Sequence, residues 1–339
     1  MLDKITPKHS LQPTVSPSVT VSVIVPVYNE QAVLPSFHGR LVQVLDNLNE
    51  RCEIIYIDDG SSDNSRNIIT AFPVTSSVVQ YIALSRNFGK EAAMSAGLQH
   101  AKGIAVVVID ADLQDPPELI PLMVKRWRAG ADVVNMKRNS RAGESMLKRF
   151  SAACFYRLLN WMSDINIEEN VGDFRLLSRE VVDHINELPE RNRYMKGIFA
   201  WPGYKQVVVP FNRDPRFSGE TKWNYFKLIG LAMDGISSFS IKPLRIATVL
   251  GVLIALSAFG YGSIVIAKTL LFGEVVQGYP SIMVVLLGLG GVQLISIGLL
   301  GEYIGRIFIE SKQRPLYLIQ EVVEKSAIQT QKSPLGEVA

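Results

Sequence analysis

Asp110 and Asp112 close the run Val106-Val107-Val108-Ile109-Asp110-Ala111-Asp112, so two carboxylates stand at the end of an apolar strand. Residues i and i+2 of an extended segment face the same side. The pair can therefore share one hard divalent cation or its water shell, with Gln114 adding a neutral oxygen. A cation held this way neutralises a diphosphate leaving group. D-x-D alone is a weak motif that also occurs in surface turns. The Val/Ile run before it and Leu113-Gln114-Asp115-Pro116-Pro117 after it set this one apart. A second run, Ile54-Ile55-Tyr56-Ile57, ends in Asp58-Asp59-Gly60-Ser61. There a carboxylate can accept the N–H of a base or the hydroxyls of a ribose, while Ser61, Ser62 or Asp63 caps the next helix. Arg86 and Lys90, after a third run, suit phosphate oxygens.

These groups act together only if the chain gathers them. Between Thr20 and Met136, Val21–Val27, Glu53–Ile57, Val78–Leu84, Ala105–Ile109 and Asp132–Met136 read as strands. Leu34–Leu48, Ser65–Phe72, Glu91–Ala101 and Pro117–Arg128 carry apolar residues at helical spacing between them. Alternation of this kind predicts a mostly parallel sheet covered on both faces, with ligands bound beyond the carboxyl ends of the strands. Tyr28-Asn29-Glu30, Asp58 to Ser61, Ser85-Arg86-Asn87 and Asp110 to Asp112 all fall at such ends. No G-x-G-x-x-G follows a strand, which argues against a dinucleotide cofactor.

Farther along, Ile246–Ala267 and Tyr279–Leu300 are uncharged apolar runs, each long enough to cross a hydrocarbon core of ~30 Å. Met1 to Thr20 lacks the apolar stretch of a secretory signal. Lys242 and Arg245 precede the first run, Arg306, Lys312 and Arg314 follow the second, and residues 273–278 between them carry only Glu274. The positive-inside rule then places both ends of the hairpin, and the sheet domain before it, on the cytoplasmic side of the cell's inner (plasma) membrane. Ser145–Met162 sets Met146, Phe150, Cys154, Leu158 and Met162 on one helical face, and Tyr225–Ile241 is similarly amphipathic. Beside membrane helices, both are expected to lie in the interface. Lys148, Arg149 and Arg157 on the first would position a lipid phosphate there.

Over 339 residues the formal net charge is only +3, so nucleic acid is not an expected partner. Cys52 and Cys154 lie in apolar surroundings without metal-ligand spacing and read as buried thiols of a reducing compartment. Glu302 and Arg306, one helical turn apart, are in the favourable order for an ion pair. Gly301 and Gly305, with Gly288, Gly290 and Gly291, would allow close packing either against the first span or between copies of the chain.

Val23-Ile24-Val25-Pro26-Val27-Tyr28-Asn29-Glu30, Asp58 to Ser61, Asn87-Phe88-Gly89-Lys90 and Asp110 to Pro117 together resemble the family 2 glycosyltransferases of GT-A fold. Within that family they are similar to the polyprenyl-phosphate branch, which includes dolichol-phosphate mannosyltransferase and the bactoprenol glucosyltransferases. The resemblance extends from about Val21 to Arg314. It implies that Pro26, Tyr28, Glu30, Asp58, Asp59, Lys90, Asp110 and Ala111 bind the donor nucleotide, and that Asp110, Asp112 and Gln114 hold Mg2+ or Mn2+. Asn170 to Arg179 is similar to the segment beside the donor sugar, which makes Asp173 the candidate for acceptor alignment or base. Arg213 to Trp223 resembles the R-x-x-R-x-x-G-x-S/T-K-W/Y loop, with Arg213, Arg216 and Lys222 as phosphate contacts and Gly219 as hinge. Asp173, Asp112 and Arg216 thus make up the expected catalytic set.

The resulting expectation is an α/β GT-A domain (Rossmann-like, mostly parallel sheet) with juxtamembrane amphipathic helices and two C-terminal transmembrane helices. Its parts are a flexible segment 1–19, a catalytic domain 20–223, a juxtamembrane helix 224–245, spans 246–272 and 279–306, and a cytoplasmic tail 307–339. The resemblance implies inverting transfer of a hexose, foremost glucose from UDP-glucose, to polyprenyl phosphate, with mannose from GDP-mannose as the alternative. A lipid monophosphate is largely ionised at neutral pH and is a strong nucleophile without help, so a general base is dispensable. A processive synthase is opposed by the two spans and the lack of a Q-x-x-R-W motif, and a silent scaffold by the presence of Asp110, Asp112 and Asp173. Further expected partners are a second copy of the chain, a flippase and a downstream glycosyltransferase.

Overall fold

Valine and isoleucine crowd the first strands because both faces of those strands are covered. The computed structural model describes residues 19–73, 75–139, 157, 171–213, 240–272 and 278–325. Strands β1 (Val21–Val27), β2 (Cys52–Asp58), β3 (Val78–Leu84), β4 (Ala105–Val108) and β5 (Val133–Arg138) occupy the expected runs, with ends moved by one or two residues. Helices α1 (Leu34–Asp46), α2 (Ser65–Ala71) and α3 (Lys90–His100) alternate with them. The helix expected from Pro117 opens as a 3-10 turn, Pro117–Leu119, and α4 runs over Ile120–Arg128. Pro121 explains the division, since proline lacks an N–H and suits the first turn of a helix.

The remaining elements are β6 (Val171–Ser178), α5 (Arg179–Glu187), α6 (Met195–Ala200), β7 (Gln206–Phe211), α7 (Lys242–Phe272), α8 (Tyr279–Ser311) and β8 (Ile319–Lys325). One sheet contains all eight strands in the order β7-β5-β6-β4-β1-β2-β3-β8. Only β6 and β8 run against the others. The sheet is therefore mostly parallel, as alternation predicted, and its core lies on both faces. Phe37 and Leu41 of α1 cover one face, and Ala93 and Ala96 of α3 with Ile185 and Phe199 cover the other. Small residues let α3 lie against the sheet: a Cβ on Gly97 would meet Ile24 Cγ2 at 2.3 Å. That close approach fixes the N-terminus of α3, and with it Lys90, at the carboxyl ends of the strands.

Two findings revise the sequence reading of the chain's course. The segment after Asn170 is a strand inserted between β4 and β5, and Phe174 to Leu177 are all buried, so it lacks the alternation that marks a half-exposed strand. The expected tail supplies β8, which pairs with β3 along the sheet edge. Charges hold this edge strand in place, Glu321 with Arg66 and Glu324 with Lys102 at 3.1 Å.

α7 and α8 contain the expected spans and extend beyond them, to Lys242 at one end and Ser311 at the other. Both are long and apolar enough to cross a membrane, and neither apolar stretch is buried within the chain. The Glu302–Arg306 pair forms, at 2.9 Å. Among the described residues nothing approaches within 4 Å of a Cβ built on Gly288, Gly290, Gly291, Gly301 or Gly305, so these glycines are not a seam against α7. The expected helices at Ser145–Met162 and Tyr225–Ile241 lie outside the described residues, apart from helical, exposed Arg157 and the terminal Ser240 and Ile241.

Candidate active site

The carboxyl ends of β1, β2 and β4 open on one cavity of about 330 Å³. Pro26, Val27, Tyr28, Glu30, Asp59, Asn87, Gly89, Lys90, Ala93, Asp110, Ala111 and Asp112 line it. Tyr28 is 48% exposed and presents its ring at the mouth. The loops behind it are cross-tied. Asn29 takes a left-handed conformation with φ 56, and its side-chain oxygen accepts the Ser62 N–H at 2.8 Å. Asp59 accepts the N–H groups of Phe88 and Gly89 at 2.7 and 2.9 Å. Gly60 is required between them. Its φ is +70, and a Cβ there would lie 2.6 Å from the Arg86 carbonyl carbon.

Asp58 is placed differently from Asp59. It does not line the cavity, and its two oxygens accept the Ser61 N–H and the Tyr81 hydroxyl, each at 2.9 Å. It ties the end of β2 to β3 and to the turn at Ser61. A larger cavity of about 550 Å³, between α3, residues 186–193 and residues 315–319, contains none of the motif carboxylates.

The acidic end of the smaller cavity depends on strand order. β4 pairs with β6 so that Val108 faces Arg175, and continuing that register sets Asp173 opposite Asp110. Lys90 reaches from α3 to both, 2.7 Å from Asp110 Oδ1 and 2.6 Å from Asp173 Oδ2. Burial alone would raise the pKa of Asp173, but Lys90, assisted by Arg175 and Lys196, outweighs it and holds the carboxyl below the usual range. Asp173 is thus kept ionised.

Asp112, Gln114 and Asp115 form the other side. Asp112 Oδ1 accepts the Gln114 N–H at 3.1 Å, while the Gln114 side-chain oxygen is buried without a hydrogen-bond partner. An orphaned acceptor beside two carboxylates fits Mg2+ or Mn2+, which take one or two carboxylates and complete their shell with phosphate and water. Among the described residues no three His, Cys, Asp or Glu side chains converge. Arg213 lies 3.7 Å from Asp112 and 3.5 Å from the fully buried Asp115. Burial pushes Asp115 up to about 6, against the pull of Arg138 at 4.0 Å. Arg216 and Lys222 of the same loop, and Lys148 and Arg149, lie outside the described residues.

Residues 22–185 match the model of Glycosyl transferase family 2, and residues 242–307 match that of the GtrB C-terminal hairpin. The chain is 50% identical over 305 residues to the bactoprenol glucosyl transferase of Shigella phage SfV, a match covering 90% of this chain and 99% of that one. The chain belongs to glycosyltransferase family 2. It is also 49% identical over 302 residues to a prophage bactoprenol glucosyl transferase homolog of Escherichia coli K12, covering 89% and 99% of the two chains. Among solved structures, glucosyl-3-phosphoglycerate synthase from Mycobacterium tuberculosis, crystallised with Mn2+, UDP and glucosyl-3-phosphoglycerate, matches at 20% identity with TM-score 0.43, over 65% of this chain and 78% of its own.

Beyond its motifs, this family 2 glycosyltransferase places several unanticipated side chains at the site. Glu91, next to Lys90, accepts the Met195 N–H at 3.0 Å, and burial followed by Asp173 pushes its carboxyl up to about 7. Arg175 is buried, donates to the Gly172 carbonyl at 2.7 Å and stacks 4.1 Å from the Phe199 ring centre. Arg138 and Lys196 complete the group. Asp115 lay within a recognised motif without a role. Arg175 lies within the Asn170 to Arg179 segment, whereas Glu91, Arg138 and Lys196 sit in no pattern readable along the chain, because only the meeting of α3 with β5, β6 and α6 gathers them.

Proposed function

We propose that this chain transfers glucose from UDP-glucose to polyprenyl phosphate with inversion at the sugar, at the cytoplasmic face of a membrane. The observation that carries this reading is the single cavity in which the nucleotide-side residues Tyr28 and Asp59 are joined, through Asp110 and Lys90, to Asp173. About 50% identity to proteins named bactoprenol glucosyl transferase supports glucose and a polyprenyl carrier, and does not favour GDP-mannose. Pro26, Tyr28, Glu30 and Asp59 would hold the nucleoside. Asp110, Asp112 and Gln114 would hold Mg2+ or Mn2+, which when bound neutralises the diphosphate leaving group. Arg213, near Asp112, is placed to share that charge.

An oxygen of the acceptor phosphate attacks the anomeric carbon from the side opposite the leaving UDP, forming the new C–O bond as the old one breaks. From an α-linked donor this gives a β-linked lipid-phosphate sugar. The phosphate is already ionised at neutral pH, and a carboxylate held below its usual range accepts a proton poorly. Asp173 therefore acts by position rather than as a base.

Support for the topology comes from the sheet. β8 follows α8 and joins the same sheet as β1, so the chain returns to the catalytic domain after the hairpin. The Tyr303 hydroxyl of α8 donates to the Ser240 carbonyl just before α7 at 2.6 Å, which joins the two helix bases, and Glu310 of α8 accepts the Arg191 N–H of the catalytic domain at 2.8 Å. With the basic residues around both bases, this favours a cytoplasmic domain and cytoplasmic termini. The uncovered glycines of α8 are consistent with a homo-oligomer.

The test is transfer from radiolabelled UDP-glucose to undecaprenyl phosphate in detergent, with Mg2+, with EDTA, and with GDP-mannose as competitor. Metal-dependent labelled lipid unaffected by GDP-mannose is the expected result. A folded sample that labels lipid only from GDP-mannose would overturn the choice of sugar, and one that labels none from either donor would overturn the reading.

A further inference from the structure

The cations at the acidic end of the cavity are not equally committed. Lys90 is tied to Asp110 and Asp173, Arg213 faces Asp112 and Asp115, Arg138 faces Asp115, and Arg175 is held by the Gly172 carbonyl and the Phe199 ring. Lys196 is half-buried in α6, yet among the described residues it makes no hydrogen bond and has no carboxylate within 4 Å. Burial lowers its proton affinity, and the carboxylate whose field most opposes this is Asp173 rather than either residue of the D-x-D pair. A partly desolvated ammonium without a counter-ion is costly, and an anionic substrate removes that cost when it binds.

The placement of Lys196 indicates which anion. Upstream, Glu310 at the base of α8 accepts the N–H groups of Arg191 and Asn192 at 2.8 and 2.9 Å. One residue before Lys196, the Met195 N–H donates to Glu91 of α3, beside the lysine that holds Asp173. Residues 191–196 therefore run from the base of a membrane-crossing helix to the acceptor side of the site. Asp112, Gln114 and Arg213, the residues assigned to the diphosphate, pair with one another, and none of them forms a hydrogen bond or ion pair with Lys196 among the described residues.

We propose that Lys196 binds the phosphate monoester of the lipid acceptor and holds it beside Asp173. This rests on the polyprenyl-phosphate reading above. Glu91 is a positioning residue, fixing the start of α6 through the Met195 N–H so that Lys196 is presented to the cleft. The ionic contact is to phosphate oxygen, so a lysine-to-arginine change retains it and a neutral side chain removes it.

The experiment uses the full chain in lipid nanodiscs with two independent readouts, binding of undecaprenyl phosphate in the absence of donor and steady-state transfer from UDP-glucose. Lys196→Gln is expected to weaken lipid-phosphate binding and raise the KM for the lipid at least tenfold, with the KM for UDP-glucose within twofold of the parent. Lys196→Arg should recover most of both. Lys196→Met keeps the methylene stem and drops the charge, and serves where the glutamine variant fails to fold. Lipid binding indifferent to residue 196, or equal rises in both KM values, would overturn the phosphate site while leaving wild-type transfer to support the functional reading. Lysine-dependent lipid binding without any transfer by wild type would keep the site and overturn the function.

Discussion

Asp173 stands opposite Asp110 across the β4–β6 pairing, and the Lys90 ammonium occupies the gap, within 2.8 Å of both. Two facing carboxylates repel, so Lys90 holds the ligand-free site together. Lys90→Met should lower the melting temperature more at pH 7 than near pH 2, where Asp173, held below the usual carboxylate range by Lys90, takes up its proton, and Asp110→Asn in the same chain should restore part of the loss. A pH-independent loss in thermal unfolding would contradict this role.

Asp110→Ala and Asp112→Ala should each leave the fold intact by circular dichroism and reduce transfer to background at every Mg2+ or Mn2+ concentration. Removing a ligand leaves the diphosphate charge uncompensated as the sugar departs. Turnover with normal metal dependence in either variant would reject the assignment of the pair.

Glu91 carries a pH signature. Its folded carboxyl titrates near 7, raised chiefly by burial and then by Asp173, against the Met195 N–H, Lys90 and Lys196. Between the ordinary glutamate range and about 7 the folded state retains a proton that the unfolded chain has released, so stability falls as pH rises through that window and stays reduced above it. Glu91→Gln, whose amide oxygen can still accept the Met195 N–H, should melt higher than wild type by roughly a few degrees at pH 8 and equally at pH 4. The same difference at both pH values would show that the carboxyl does not titrate there.

Ending the chain after Arg314 removes β8 and uncovers the hydrogen-bonding edge of β3. It also deletes the Leu318 carbonyl that accepts the Ser85 N–H at 2.9 Å, next to the Arg86-Asn87 loop at the donor cavity. The truncated protein should aggregate by size-exclusion chromatography and show a raised KM for UDP-glucose. A monodisperse product with an unaltered KM would make β8 dispensable.

Local chemistry determined much of this protein. The Val/Ile runs, the helical spacing between them and the turn residues at their ends were enough to specify five strands, four helices, a parallel sheet and two apolar spans, because hydrophobic period and strand-end position are properties of neighbouring residues. The D-x-D pair, Tyr28 and Asp59 were legible for the same reason, since each follows a strand that can only end at the ligand side of such a sheet. Asp58 and Asp59 looked equivalent along the chain. Only packing showed that Asp58 turns to Tyr81 and Ser61 while Asp59 lines the cavity. Strand order lies beyond periodicity, because β6 and β8 pair with partners far away in the chain and are covered by charges or by both faces of the core. The insertion of β6 and the addition of β8 at the edge set Asp173 against Asp110, bring Glu310 of the membrane helix to the loop before Lys196, and so decide which cations hold the site closed and which one is left for a substrate.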